Sequence, residues 1–118
     1  MQRRILLILL VRLLVQKRKQ FFRMKKESEK TIEKYVVAAV RSLGGFAVKG
    51  NTVNSKGYPD RVIHLPGGKI GFLELKSEGK KPTKLQQYWI DELTALGFKA
   101  GWADTKDKAK LFIEDIMG

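Results

Sequence analysis

Gly57-Tyr58-Pro59-Asp60-Arg61-Val62-Ile63-His64-Leu65-Pro66-Gly67-Gly68-Lys69-Ile70-Gly71-Phe72-Leu73-Glu74-Leu75-Lys76 reads as a β-hairpin with an acid at the start of its first strand and an acid followed by a lysine at the end of its second. Antiparallel strands bring the start of one beside the finish of the other, so both carboxylates arrive at the same end of the ribbon. Side chains alternate between faces along a strand. Asp60, Val62 and His64 therefore share one face, and Ile70, Phe72, Glu74 and Lys76 share one face of the partner. A three-residue loop of Pro66, Gly67 and Gly68 sets Asp60 directly across from Glu74, with glycine available for the left-handed position such loops need. A two- or four-residue loop would set Asp60 across from Leu75. The three-residue register is the expectation, and it outlines a metal site.

Upstream, Ser28 caps a helix whose apolar positions Ile32, Val36, Ala39, Val40 and Leu43 recur at helical spacing up to Gly44-Gly45. At ~100° per residue Glu29 falls near the middle of that stripe and Glu33 toward its edge. A place in the first turn also suits Glu29 as a complement to the helix dipole. A short strand over residues 46–49 follows, then a polar loop over residues 50–56 that leads into Asp60 and offers Asn51, Asn54 and Lys56 to substrate phosphates.

Downstream of the hairpin lies a basic loop with Lys80 and Lys81, then a helix from Thr83 with Leu85, Trp89, Leu93 and Leu96 facing inward and Gly97 ending it. Thr83-x-x-Gln86 is a capping box in its own right. Residues 98–103 alternate as a strand, and Asp104 or Thr105 caps a last helix with Ala109, Phe112, Ile113 and Ile116 inward. The predicted order is αβββαβα, an α/β fold.

The 118 residues leave room for one domain and one modest core. With no cysteine and a single histidine, any metal is pushed toward oxygen ligands. The net charge of +12 favours a polyanionic partner. That charge is uneven: residues 1–23 hold seven Lys or Arg and no acid, leaving 17 basic against 12 acidic residues in 24–118. Residues 1–23 are also compositionally foreign, with an apolar run over residues 5–15 broken by Arg12. That run is too short to span a bilayer, which takes roughly 20 residues. It lacks a cleavage site for a signal peptide and has no polar face for a surface helix. The expectation is a domain over 24–118 beginning at Met24, an N-terminal extension over 1–23 that is not part of the native protein, and no membrane partner.

Gly57-Tyr58-Pro59-Asp60, then Glu74-Leu75-Lys76, then Gln86 at the start of a helix resembles the VRR-NUC branch of the PD-(D/E)xK nuclease superfamily, in its stand-alone phage or bacterial form. The resemblance covers residues 29–98. It implies a restriction-endonuclease-like core, a small mixed β-sheet flanked by helices, and Mg²⁺-dependent hydrolysis of DNA phosphodiesters with Mn²⁺ able to substitute. It implies Asp60 and Glu74 as metal ligands with the main-chain carbonyl of Leu75, Lys76 as the catalytic lysine, Gln86 as an orienting residue, and a helix glutamate supplied by Glu29 or Glu33. Stand-alone relatives imply branched DNA, four-way junctions first, cut in the cytoplasm of a bacterial host. Paired nicks then require a homodimer, whose apolar patch is sought on the last helix or around Trp89 and Trp102. A monomeric nickase or flap nuclease and a non-catalytic DNA-binding module are the alternatives.

Overall fold

The computed structural model describes residues 2–50 and 55–118. Eight elements follow in order: α1 (Gln2–Met24), α2 (Glu29–Ser42), β1 (Phe46–Lys49), β2 (Arg61–Leu65), β3 (Lys69–Leu75), α3 (Lys84–Ala95), β4 (Lys99–Ala103) and α4 (Lys106–Met117). After α1 the order is the expected αβββαβα. The strands form one sheet in the order β1-β2-β3-β4, antiparallel through β3 and parallel between β3 and β4. A parallel neighbour needs a crossover, and α3 provides it.

One face of the sheet carries the main core. Ile32, Val36 and Val40 form a single buried stripe on α2 and pack with Ile63, Leu65, Leu73 and Leu75 from the sheet and Ala109, Ile113 and Ile116 from α4. Side chains this size each contribute ~1.5–3 kcal/mol when fully buried. Two strand glycines make room for α4: a Cβ on Gly71 would stand 2.2 Å from Ile116 Cδ1, and one on Gly101 would stand 3.1 Å from Phe112 Cε2. α3 covers part of the opposite face, where Tyr58 meets both Phe72 of the sheet and Trp89 of the helix edge to face.

The hairpin pairs Leu65 with Lys69 and Arg61 with Leu73, which is the register of a three-residue Pro66-Gly67-Gly68 loop with Gly67 and Gly68 at φ 86° and 72°. α2 is capped by Ser28, α3 by Thr83 and α4 by Thr105. The inward face of α3 departs from expectation. Ile90 and Leu93 are buried, whereas Leu85 is 44% and Leu96 74% exposed and Trp89 is only partly buried. The helix is turned so that Gln86, Ile90 and Leu93 line its sheet side, and Leu85 and Trp89 face the chain that enters β2.

Long-range polar ties close the domain behind the sheet. Glu27 accepts the Lys106 amide at 2.7 Å, capping α4 from 79 residues away, while its own amide donates to Glu78 Oε2 at 2.8 Å. Asp104 is buried, accepts the Gly79 amide at 2.9 Å and pairs with Lys108 at 2.8 Å, which holds its carboxyl below the usual range.

Candidate active site

The site is assembled where the β2–β3 ladder runs out. One step beyond the Arg61–Leu73 pair, the same register places Asp60 opposite Glu74. At this end the Asp60 side chain ties the two strands together: its Oδ2 accepts the Leu75 amide at 2.8 Å. Leu75 itself is fully buried in the core, so the strand anchors its neighbours Glu74 and Lys76 while presenting them on the other face.

Glu74 is 2% exposed and is the most deeply buried acid among the described residues. Burial first, then the charge of Asp60 and a hydrogen bond with it, push its pKa up to about 8, against an opposing pull from Lys76. Its Oε2 is buried without a hydrogen-bond partner. An ionised carboxylate in that position is costly unless a cation meets it.

Glu29 belongs to the same electrostatic cluster. Although the sequence places it near the middle of the apolar stripe, Glu29 is exposed and Glu33 is the half-buried one; partial desolvation and the charge of Asp60 still raise the Glu29 pKa, with Lys76 and Lys80 acting in the other direction. Glu33 is engaged elsewhere, in an ion pair with Arg61 at 3.4 Å whose guanidinium also donates to the Ala47 carbonyl at 3.0 Å. Of the two helix glutamates, Glu29 is the one whose charge acts on Glu74 and is acted on by Asp60 and Lys76.

Gln86 serves two purposes with one oxygen. Its Oε1 accepts the Thr83 amide at 2.9 Å, completing the capping box, and also accepts from Lys76 Nζ at 3.3 Å. The helix start and the lysine are thus held by the same side chain.

Each of these groups is an oxygen donor or a lysine, and the one histidine, His64, stacks on Phe46 on the far part of the hairpin. Among the described residues no three His, Cys, Asp or Glu side chains converge closely enough to enclose an ion. Two carboxylates, one with an unpartnered buried oxygen, suit magnesium, which keeps several of its waters and needs few protein ligands.

No family model matches the chain. A phage protein described as "Putative nuclease p44", from Acyrthosiphon pisum secondary endosymbiont phage 1, is 41% identical over 83 residues, which cover 70% of this chain and 89% of the relative. A solved structure described as a "VRR_NUC domain" superposes with a TM-score of 0.68 at 27% identity, over 75% of this chain and 96% of that one. The chain belongs to the VRR-NUC nucleases.

Within this VRR-NUC domain, some of the sequence candidates lie at the rim. Lys56, Lys80 and Lys81 are exposed, Lys80 close enough to act on Glu29, while Asn51 and Asn54 lie outside the described residues. The support of Asp60 went unread in the sequence. Gly57 has φ 83°, and a Cβ there would stand 2.7 Å from Leu85 Cγ; the Trp89 indole donates to the Lys56 carbonyl at 3.0 Å; Tyr58 packs on Trp89. This clamp seats the chain leading into Asp60 on α3. The unusual surface placement of Leu85 and Trp89 is its signature, visible only once the turn of the helix is known.

Gln86→Ala is expected to lower the melting temperature through loss of the reciprocal cap, at about 1 kcal/mol, and to slow cleavage by roughly tenfold or more as Lys76 loses its restraint. Gln86→Glu keeps a capping side chain and an acceptor, so calorimetry should show stability restored. Unchanged cleavage by the alanine variant would remove Gln86 from the site.

Proposed function

We propose that the protein is a Mg²⁺-dependent DNA endonuclease, able to use Mn²⁺ instead, that cuts branched DNA as a symmetric dimer. The observation that carries the nuclease chemistry is the buried Glu74 carboxylate, set against Asp60 with one oxygen unpartnered and Lys76 two residues along the chain, just past the end of β3. Asp60 and Glu74 would hold the ion, with the Leu75 main-chain carbonyl as a further ligand by family analogy. When bound, such an ion acidifies a coordinated water and offsets charge on the phosphorus oxygens.

The chain's own groups do the rest. Lys76, restrained by Gln86, lies on the Glu74 face and reaches the phosphate, where it orients the attacking water and stabilises charge developing in the transition state. Glu29 adds a negative charge beyond Asp60 and shares Lys76 and Lys80. The exposed Lys56, Lys80 and Lys81 would serve as phosphate contacts, together with Asn51 and Asn54, which precede Asp60 in the sequence. A plain DNA-binding module has no use for acids at the centre of a basic surface, because without a cation they repel phosphate.

Two matched nicks in a junction need two active sites, hence a two-fold pair. The last helix exposes Leu111, and the two tryptophans are each partly buried, Trp89 against Tyr58 and the exposed Tyr88 and Trp102 beneath Lys108 at 4.8 Å. A broader apolar surface lies on the sheet half that α3 leaves open. There Phe46, Val48 and Ile70 are 53, 44 and 37% exposed, and the pairings Phe46–His64, Val48–Val62 and His64–Ile70 make them one contiguous patch. This patch is the proposed dimer face.

The test is a panel of linear, flapped and four-way DNA incubated with Mg²⁺, alongside light scattering on the wild type and Phe46→Glu. Dimeric mass and paired symmetric cuts in junctions are expected for the wild type, and a monomer that makes single nicks for the variant. A wild-type monomer that cuts linear single strands as fast as junctions would sink the junction reading and leave the nuclease standing.

A further inference from the structure

None of the described side chains of α1 belongs to the core. Its large apolar side chains, Ile5 to Val15, are 50–66% exposed, on every side of the helix. A run bare all round in water is a large unfavourable term, so it requires an apolar cover that no described part of the chain supplies. At ~1.5 Å per residue it extends about 16 Å, against a hydrocarbon core of about 30 Å, and no helix among the described residues is long and apolar enough to cross a membrane.

Charge decides between the remaining covers. The sequence brackets the run with Arg3-Arg4 on one side and Lys17-Arg18-Lys19 on the other, and residues 1–23 contain no acid. Two copies packed along this helix, parallel or antiparallel, set basic segments against basic segments. DNA would satisfy the brackets but not the apolar run. An anionic bilayer surface satisfies both, with the run in the boundary between headgroups and acyl chains and the brackets at the level of the lipid phosphates. Arg12, exposed in the middle of the run, can carry its charge to the headgroups along its own aliphatic stem.

We infer that α1 docks this nuclease on anionic membrane surfaces, independently of the DNA substrate it cuts. This departs from the expectation of no membrane partner. That expectation rested on the short apolar run, the missing cleavage site and the missing polar face, but polarity here is arranged along the helix, basic–apolar–basic, rather than around it.

The experiment is vesicle flotation of the full chain with phosphatidylcholine alone and with phosphatidylcholine–phosphatidylglycerol mixtures, repeated at rising salt. Wild type should float with the anionic vesicles and much less with the neutral ones, and salt should weaken but not abolish binding. The Leu9→Gln/Leu10→Gln/Leu13→Gln variant keeps every charge and the helix. It should lose on the order of tenfold in partitioning per leucine while cutting naked DNA at the wild-type rate. Failure of the wild type to float with anionic vesicles overturns the inference. So does flotation of the variant equal to wild type, which would reduce the effect to charge alone. Lipid-free self-association that the same substitutions abolish, without vesicle binding, would assign the run to a second copy instead.

Discussion

Asp60→Ala, Glu74→Ala and Lys76→Ala are each expected to abolish DNA cleavage in Mg²⁺, by on the order of a thousandfold or more, while circular dichroism shows the fold intact. None of the three is a member of the apolar core. The structural costs differ in sign. Asp60→Ala strips the Leu75 amide of its acceptor, a loss of about 1 kcal/mol, whereas Glu74→Ala removes a buried acid that the metal-free fold accommodates poorly. Asp60→Ala should also bind DNA more tightly than wild type in EDTA, since a charge that repels phosphate is gone, and should gain less from added Mg²⁺. Any variant that is folded and cleaves at the wild-type rate removes that residue from the reaction.

That these three residues come together at one end of the hairpin was legible because the hairpin constrains itself. Pro66-Gly67-Gly68 fixes the loop length, loop length fixes register, and register alone brings Asp60 opposite Glu74. The strand and helix order followed from periodicity in the same way. α3 shows where that reasoning stops. Leu85, Trp89, Leu93 and Leu96 recur at helical spacing and read as the inward stripe, but the sheet takes Gln86, Ile90 and Leu93, because Gln86 meets Lys76 on the strand below it. Apolar residues left on the flank then find a second partner, the segment from Lys56 to Tyr58. Periodicity reports that a helix has an apolar side. It does not say which of two apolar partners that side will meet.

Glu27 and Asp104 mark a different limit. Each joins segments far apart in sequence, Glu27 to Lys106 and Asp104 to Gly79, and neither has a local pattern that distinguishes it from a solvated acid. For Glu29 against Glu33 the sequence supplied an angle around the helix. That angle put Glu29 near the middle of the buried stripe, but Glu29 is exposed and Glu33 is the half-buried one, paired with Arg61, while Glu29 interacts with the carboxylates through its charge.

The metal-free protein should lose stability as pH rises from 5 to 8.5. Glu74 moves from 4.5 to about 8 on folding, chiefly through burial and then through Asp60. The folded state therefore binds a proton that the unfolded chain has released over that window. Its contribution is fully present below the unfolded value and is lost as pH climbs through the folded one, with an upper bound on the order of 5 kcal/mol at ~1.4 kcal/mol per unit. Glu29 shifts in the same direction and adds to the slope, while the lowered Asp104 acts in the opposite sense and only in the acid range. In EDTA the melting temperature should fall by roughly 10 °C across the window. Glu74→Gln, neutral at every pH, should flatten most of the fall and melt above wild type at pH 8.5. Mg²⁺ should rescue wild type there, because a cation held by Asp60 and Glu74 replaces the proton, and should leave Glu74→Gln nearly unmoved. Cleavage follows the same logic, rising with pH until Glu74 is free to bind the ion, with a midpoint that shifts downward as Mg²⁺ is increased. If wild type and Glu74→Gln melt in parallel in EDTA throughout, Glu74 is not the acid that the fold holds protonated.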